Sequence, residues 1–230
     1  MPHEPMRLSV VMASMNEEKS IQAMIAEIRK YAPPESEILI VDSSKDRTPE
    51  IARQLRAIVI EQEPQGHGMA LKKALHEASG DVVMTTDCDV TYPMDQIPEF
   101  LSLVENEKYD LVSGCRLTKK LKKEMPFLNK IANALFAWMV RILYGIKTND
   151  VSTGMFAMTN EYAKTDWKGN FSLPSEIIIR SKLSKKRYLE IPVDYKIRVG
   201  ETTLNKWRSG KAYMRCFFYW KFGLFKNKEL

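Results

Sequence analysis

The chain has 230 residues and a formal net charge of +6, with 44% hydrophobic and 28% charged residues. This size and composition are those of a globular protein with a substantial core, and they exclude a disordered chain or a mini-protein. No apolar run reaches the roughly 18 residues of a membrane-spanning helix, and the N-terminus lacks the pattern of a secretory signal. The three cysteines have neither zinc-site nor disulfide spacing, which predicts free thiols and a cytoplasmic protein.

The first half of the chain alternates short apolar runs with helix-type patterns. Such continuous apolar strands, separated by helices, are typical of a parallel sheet covered on both faces. The predicted strands are LSVVMA, EILIVD, AIVI, DVVMTT and DLVSG. Right-handed crossovers bring the loops that follow the strands to one edge of the sheet, where open α/β sheets bind ligands. The pattern therefore predicts an α/β fold whose ligand edge carries SMNEE, DSSKD, QGHG and DCDVTYP.

The second half of the chain begins with the basic stretch RLTKKLKKEMP, followed by the helix-type segment FLNKIANALFAWMVRILYG. After DVSTGMFAMT come a predicted helix LPSEIIIRSKL, strands in YLEIPVDYKIR, a loop VGETTLNKWRSG and an aromatic tail AYMRCFFYWKFGLF. Because no repeat or linker interrupts the chain, we expect one domain over 1–230. Its ligand-binding half spans about 7–114, and its second half spans about 115–230.

The second half also carries features of a membrane-surface protein. The helix-type segment is broadly amphipathic, with apolar residues at Ile131, Leu135, Trp138, Met139, Ile142 and Leu143. Lys119, Lys120, Lys122 and Lys123 precede it, and Phe217, Phe218, Tyr219, Trp220 and Phe222 mark the tail. This combination suits peripheral binding to an anionic membrane. Two alternatives remain open: the helix packs on the sheet and the tail pairs with it, or two subunits bury both in a homodimer. No nucleic-acid motif is present, so we expect no nucleic-acid partner.

Two acidic residues, Asp87 and Asp89, follow the apolar run DVVM with one cysteine between them. At a turn, both carboxylates can reach one hard cation and leave coordination sites for phosphate oxygens, as Mg²⁺ or Mn²⁺ requires. Alternatively, Asp87 caps the following turn and Asp89 is solvated, which is the commoner meaning of so short a motif. The decision therefore depends on the neighbouring loops.

The neighbouring loops carry further ligand-type residues. Asp42 ends the run ILIVD, where a carboxylate can accept hydrogen bonds from a nucleobase or ribose. Asn16 and Glu17 follow the first strand, and Gly66 and Gly68 allow the backbone to approach a ligand closely. Each residue alone could be a cap or a turn residue. Their coincidence at one sheet edge favours a nucleotide site with a bound cation.

The motifs VVMASMNEE, ILIVDSSKDRT, QGHGMALKKALHEASGDVVMTTDCDVTYP, SGCR, DVSTGMFAM and SEIIIR, in this order, resemble family 2 glycosyltransferases. The similarity is strongest to dolichol-phosphate mannose synthases and related polyprenyl-phosphate sugar synthases, and it extends from Leu8 to about Gly210. It implies a GT-A fold with a mostly parallel central sheet. It also implies a nucleoside-diphosphate sugar donor, GDP-mannose or UDP-glucose, and a polyprenyl-phosphate acceptor.

The resemblance assigns roles to individual residues. Those expected at the nucleotide sugar are Ala13, Met15, Glu17, Asp42, Ser43, Asp87, Cys88 and Asp89. Those expected at Mg²⁺ or Mn²⁺ are Asp87, Asp89 and Thr91. Those expected at the acceptor phosphate are Arg116, Lys130 and Arg198. Those expected to be catalytic are Asp89, Arg116 and Glu176. Asp150 is expected to orient a loop beside the donor, although Asp150 and Glu176 are equally suited to be caps or buried ion-pair partners.

The expected reaction follows from charge. A divalent cation stabilises the departing diphosphate. A phosphate monoester, with a second pKa of about 6, is already nucleophilic at neutral pH, whereas a hydroxyl acceptor needs a general base such as Glu176. We therefore expect an inverting hexosyltransferase acting on polyprenyl phosphate, bound peripherally to the cytoplasmic face of a membrane. The alternatives are transfer to a glycan or protein hydroxyl, and a non-catalytic nucleotide-sugar-binding membrane scaffold.

Overall fold

The computed structural model describes residues 6–117, 127–196 and 206–224; the side chains of 127–130 and 206–208 are not described. Within these ranges, one seven-stranded sheet has the order β3-β2-β1-β4-β6-β5-β7. The strands are β1 Leu8–Ser14, β2 Glu37–Asp42, β3 Ile58–Glu61, β4 Val82–Thr85, β5 Leu111–Cys115, β6 Phe156–Thr159 and β7 Tyr188–Pro192. Strand β6 runs antiparallel to β4 and β5, and the other neighbouring strands are parallel.

Helices cover both faces of this sheet. They are α1 Ile21–Tyr31, α2 Thr48–Gln54, α3 His67–Glu77, α4 Ile97–Glu105, α5 Phe127–Tyr144, α6 Asn160–Ala163, α7 Leu173–Leu183 and α8 Lys206–Phe222. A short 3₁₀ turn, Met94–Gln96, precedes α4. Prolines in the first turns of α2, α4 and α7 fix the backbone where an N–H would lack a helical partner.

The two faces of β1 show how the core is divided. Val10 and Met12 join a cluster with α1 and α4, whereas Val11 and Ala13 join a cluster with α3, α5, α7 and α8. Side chains alternate between the two faces of a strand, so a strand covered on both sides carries apolar residues on both faces. This explains why the run LSVVMA lacks a polar alternation, and it confirms the predicted α/β class.

Strand β6 was not recognised in the sequence. Its four residues pair with β4 and β5, as in the Val83–Met158 and Val112–Ala157 pairs, and it lies between these strands. The sheet is therefore mostly parallel, as expected, but antiparallel at its centre. As a result, the loop that enters β6 lies at the same edge as the loops that leave β1, β2, β4 and β5.

The C-terminal helix α8 packs against α5 and α7. Phe217 is fully buried, its carbonyl accepts a 2.5 Å hydrogen bond from the Tyr144 hydroxyl, and the Tyr213 ring stacks on Phe136 at 5.4 Å. The packing alternative is thus correct for this part of the aromatic tail, whereas Phe222 remains 57% exposed. Among the described residues, no helix is long and apolar enough to cross a bilayer.

Candidate active site

The loops after the parallel strands meet at one edge of the sheet, and Asp42 lies at the end of β2 on that edge. Asp42 ends β2 and is buried, with 1% of its surface exposed. Its carboxylate accepts hydrogen bonds from the Ser14 hydroxyl and from both the backbone N–H (2.8 Å) and the hydroxyl (2.7 Å) of Ser44. These bonds lock the ends of β1 and β2 together and fix the orientation of the carboxylate.

A cavity of about 330 Å³ opens beside Asp42. Its lining residues are Asp42, Ser43, Ser44, Lys45, Glu61, Gln62, Glu63 and Pro64. The buried Nε2 of Gln62 has no hydrogen-bond partner within the described residues. Because a buried unpaired donor costs about 1–3 kcal/mol, the wall of this cavity is suited to a ligand that brings an acceptor. The sequence did not identify Glu61 and Gln62 as site residues. They follow the short apolar run AIVI, which predicts a strand but carries no binding motif.

The loop after β1 is fixed to the loop after β2. Asn16, at φ 59°, donates its backbone N–H to the Ser44 hydroxyl at 2.7 Å and accepts from the Lys45 backbone N–H at 2.9 Å. Glu17 is partly buried and accepts a 2.8 Å hydrogen bond from the Ser20 hydroxyl. Met15 projects outward, 53% exposed, at the same edge. Met15 and Glu17 thus lie on the loop that these hydrogen bonds join to the loop following Asp42.

The two carboxylates of the D-x-D motif lie on the turn after β4, in different surroundings. The Asp87 side chain is 31% exposed, and its Oδ1 lies 3.7 Å from His67 Nε2. Asp89 is only 3% exposed, and its Oδ1 accepts from the backbone N–H (3.2 Å) and the hydroxyl (2.5 Å) of Thr91. Val90, the residue after Asp89, adopts φ 60°, a strained conformation for a β-branched residue. Such strain is found at functional sites more often than elsewhere.

Three predicted site residues have buried side chains. Thr91 is fully buried and its hydroxyl donates to Asp89, so it orients that carboxylate. The Cys88 thiol is buried and lies 3.6 Å from the Ala13 carbonyl, which it can reach as a donor. Burial, reinforced by surrounding carboxylates, raises the pKa of Cys88 well above its ordinary value. The side chains of Ala13 and Cys88 therefore belong to the core, and only their backbone groups are available at the edge.

Gly154, which the sequence did not single out, lies directly against Asp87. A Cβ atom added at Gly154 would lie 3.0 Å from Asp87 Oδ1 and 3.2 Å from Oδ2. The backbone N–H of Gly154 donates to the Tyr92 hydroxyl at 2.6 Å. The loop entering β6 therefore forms one wall of the D-x-D turn, which depends on the antiparallel strand that the sequence pattern did not reveal.

The donor set of this turn fits a hard divalent cation. Carboxylate oxygens are the ligands that Mg²⁺ prefers, and Mg²⁺ is usually held by one or two carboxylates together with phosphate oxygens and water. Within the described ranges, no group of three or more histidine, cysteine or acidic side chains is placed to hold a metal by itself. Asp87 and Asp89 match, in number and type, the carboxylates that usually hold Mg²⁺.

Arg116 follows β5 and is held by Asp150. Its Nε lies 2.7 Å from Asp150 Oδ2 and its Nη2 lies 2.9 Å from Oδ1, and the Arg116 backbone N–H reaches the same carboxylate at 3.1 Å. The side chains are 12% and 0% exposed. Burial alone would raise the pKa of Asp150, but the Arg116 charge and its hydrogen bonds hold that pKa below the ordinary value. Asp150 is therefore a buried ion-pair partner, which is one of the roles that the sequence left open.

This ion pair is connected to both sides of the site. The Asn133 amide of α5 donates to Asp150 at 2.9 Å. The Tyr195 ring lies 5.3 Å from the Arg116 guanidinium. The next residue, Lys196, donates its backbone N–H to the Thr91 carbonyl at 2.8 Å, and the Thr91 hydroxyl in turn holds Asp89. Tyr195 was missed in the sequence because it follows a strand without a recognisable motif. It places Arg116 next to the D-x-D turn.

Glu176 lies in the first turn of α7 and is fully buried. It accepts hydrogen bonds from the backbone N–H groups of Lys168 and Gly169 and forms an ion pair with Arg180 at 3.5 Å. Burial raises the pKa of Glu176, although these N–H donors oppose the shift. It is thus a buried ion-pair partner and does not open onto the edge that holds Asp87. Arg198 and lysines 119, 120, 122 and 123 lie outside the described residues, as does the side chain of Lys130.

Comparison with known proteins identifies related sequences. Residues 9–167 match the family described as Glycosyl transferase family 2. The dolichyl-phosphate hexose transferase of Haloferax volcanii is 43% identical over 206 residues, which cover 89% of this chain and 90% of that protein. The dolichol-phosphate mannosyltransferase of Pyrococcus furiosus is 28% identical over 86% of this chain and 59% of its own length.

Solved structures share the fold. Glucosyl-3-phosphoglycerate synthase from Mycobacterium tuberculosis, in complex with Mn²⁺, UDP and glucosyl-3-phosphoglycerate, superposes with a TM-score of 0.73 at 17% identity. The match covers 94% of this chain and 80% of that one. The same enzyme with Mg²⁺ and UDP gives a TM-score of 0.71 at 18% identity, over 94% and 79%. At this identity the likeness establishes the GT-A fold.

Proposed function

Because the chain belongs to glycosyl transferase family 2 and is a glycosyltransferase, we propose that it transfers a hexose from a nucleoside-diphosphate sugar to a polyprenyl phosphate. The observation that carries this proposal is the position of Arg116 beside the D-x-D turn: its guanidinium lies against Tyr195, and the neighbouring Lys196 is bonded through its backbone to Thr91, which holds Asp89. The reaction brings two phosphate groups together, and it therefore needs positive charge on both sides of the sugar. The non-catalytic alternative is set aside because the family and the named relatives are transferases.

The donor is assigned to the cavity beside Asp42. The fixed carboxylate of Asp42 and the unpaired amide of Gln62 supply an acceptor and a donor of hydrogen bonds in one wall, which suits a nucleobase or ribose. The structural relatives were solved with UDP, and one sequence relative is named a mannosyltransferase. We therefore test UDP-glucose and GDP-mannose as donors.

Mg²⁺ or Mn²⁺ is assigned to Asp87 and Asp89, shared with the donor diphosphate. When bound, the cation stabilises the negative charge that develops on the leaving diphosphate. Thr91 keeps Asp89 oriented through its hydroxyl, and Gly154 leaves the space that the Asp87 carboxylate occupies. These residues hold the turn in place before the ligand arrives, which lowers the reorganisation needed in the reaction.

The acceptor phosphate is assigned to Arg116. The Nε and Nη2 of the guanidinium donate three hydrogen bonds to Asp150 and Ser152. The Nη1 group is left to donate to a phosphate oxygen. A phosphate dianion is its own nucleophile, so no side chain needs to remove a proton. The burial of Glu176 supports this acceptor over a hydroxyl, which would require an accessible base.

A lipid-linked acceptor also requires docking to a membrane, and α5 offers a surface for it. One face of α5 packs in the core through Ala137, Val140 and Tyr144. The exposed side chains on α5 are Ile131 (49%), Leu135 (52%), Trp138 (57%) and Ile142 (62%), a spacing that places them along one stripe. In the sequence, this stripe follows the basic run of lysines 119–123. We assign it to the headgroup region of an anionic cytoplasmic leaflet, with the protein bound peripherally.

The experiment offers radiolabelled GDP-mannose or UDP-glucose with Mn²⁺ or Mg²⁺ and a short polyprenyl phosphate, and counts label extracted into organic solvent. We expect lipid-phase label with one donor, abolished by chelator. Slow donor hydrolysis without lipid label would instead support a hydroxyl acceptor. Co-sedimentation with anionic vesicles tests the α5 stripe, and a stable dimer that does not bind vesicles would assign the stripe to a second copy of this chain.

A further inference from the structure

The carboxylate of Glu176 is bound entirely within the protein. Its Oε1 and Oε2 lie 3.0 and 3.1 Å from the Lys168 backbone nitrogen, and Oε2 also accepts from the Gly169 N–H. A Cβ added at Gly169 would lie 2.8 Å from Oε2, so this close approach requires glycine. Glu176 thus fixes the backbone of a turn, residues 168–170, that has no regular secondary structure of its own.

Arg180 supports this arrangement from the other side. It lies one turn later on α7, and its Nη1 is 3.5 Å from Glu176 Oε1 and 2.6 Å from the Asp166 carbonyl. Its guanidinium stacks over Trp167 at 5.3 Å and over Trp220 of α8 at 4.7 Å. The buried negative charge of Glu176 is therefore compensated, which keeps it from being an isolated buried charge.

The turn 168–170 lies against the N-terminus of α3. A Cβ added at Gly68 would lie 2.0 Å from the Asn170 carbonyl oxygen, so the two backbones are in direct contact. At Gly66, which has φ 101°, a Cβ would lie 2.9 Å from the Asn170 amide. The Asn170 amide also donates to the Gln65 carbonyl at 3.1 Å. Movement of this turn would therefore displace the QGHG loop.

The QGHG loop in turn faces the D-x-D turn. His67 lies between the two glycines, and its Nε2 is 3.7 Å from Asp87 Oδ1. A continuous set of contacts thus runs from Glu176 through Gly169 and Asn170 to the start of α3 and Asp87. No step of it requires Glu176 to reach the substrate.

We propose that Glu176 is a positioning residue, whose buried carboxylate holds the turn 168–170 against the QGHG loop and thereby keeps the diphosphate-binding edge at Asp87 in place. This inference rests on the proposed function, since it assigns Glu176 an indirect part in donor binding in place of the part of a base. Two consequences separate the roles. Replacing a positioning residue changes the KM for the donor and leaves the pH profile of the rate unchanged. Replacing a base lowers kcat and removes one pKa from that profile.

The experiment compares Glu176→Ala, Glu176→Gln and Asn170→Ala with Glu161→Gln, a control at an exposed carboxylate that pairs with Lys186. We expect Glu176→Ala to raise the donor KM about tenfold, the scale of one lost hydrogen bond to a charged group, with the acceptor KM unchanged. Glu176→Gln keeps one oxygen acceptor and should recover part of the loss. Asn170→Ala, which loosens the same contact from the opposite side, should raise the donor KM in the same direction.

The opposite pattern would overturn the proposal. A base predicts that Glu176→Gln lowers kcat by about 10²–10⁴ without a change in donor KM and removes one limb of the pH profile. Amide hydrogen exchange provides a readout that needs no turnover: Glu176→Ala should accelerate exchange at residues 67–70 as well as at 168–170. Unchanged exchange at 67–70 would contradict the coupling. Absence of lipid transfer by the wild type, with the exchange result intact, would refute only the proposed function.

Discussion

The Arg116–Asp150 ion pair allows a quantitative test. Asp150→Asn keeps the shape of the side chain but removes the charge that compensates Arg116, whose side chain is only 12% exposed. Removing one partner of a buried pair costs about 3–5 kcal/mol, because the other charge stays buried without compensation. For a chain of this size, each kcal/mol lowers Tm by roughly 2–4 °C, so the expected fall is roughly 6–20 °C.

The pH dependence of this effect has a defined sign. Although burial opposes it, Arg116 and its hydrogen bonds hold the pKa of Asp150 below its ordinary value of 3.8. A depressed carboxyl pKa contributes stability that is present above the unfolded pKa and is lost as the pH falls through the folded pKa. The Tm difference between wild type and Asp150→Asn should therefore be constant above about pH 5 and shrink below about pH 4.

Thermal unfolding monitored by circular dichroism, at a series of pH values, measures both effects. Asp166→Asn is the matched control, because Asp166 pairs with Lys168 at the surface and its side chain is 80% exposed. We expect this control to leave Tm almost unchanged. An Asp150→Asn protein that melts within 1–2 °C of the wild type, well under the shift worked out above, would show that the pair is not the compensated buried charge that its geometry implies.

Three other variants test the site and its membrane surface. Asp89→Asn should reduce sugar transfer by about a hundredfold or more and remove its response to added metal, since the cation contributes several kcal/mol to catalysis; full metal-dependent activity would refute the cation assignment. Gly154→Ala should raise the Mn²⁺ concentration needed for half-maximal activity, because its Cβ would lie 3.0 Å from an Asp87 oxygen, and an unchanged metal titration would count against this contact. Replacing both Leu135 and Trp138 with Gln should weaken co-sedimentation with anionic vesicles without lowering Tm, whereas unchanged vesicle binding would exclude the α5 stripe as the membrane contact.

The arrangement of α5 shows where sequence reasoning reached its limit. The amphipathic pattern predicted one broad apolar face, with packing, dimerisation and membrane binding as alternatives. The structure separates that face into a buried side, which includes Val140, and an exposed stripe, which includes Trp138. Hydrophobicity alone could not divide them, because the division depends on where α8 and the sheet cover the helix.

The sequence by itself determined the elements whose signal is local. The apolar run of β1 indicates burial on both faces of the strand. The positions of Asp42 at the end of β2 and of Asp87 after β4 place both at the edge where parallel sheets bind ligands. The order of the motifs was sufficient to identify the family. Strand burial, position at the end of a strand and motif order all depend on the spacing of residues along the chain, which the sequence gives directly.

Only the tertiary structure decided which groups meet. Strand β6 inserts antiparallel between β4 and β5 and brings Gly154 to Asp87, and the Thr91 hydroxyl turns toward Asp89. Glu176 turns inward to the backbone of the turn 168–170. These contacts join segments from different elements, and a side chain is directed by whichever element packs against it. Local patterns predicted which candidate residues meet at this sheet edge, and long-range packing determined which protein groups surround each carboxylate.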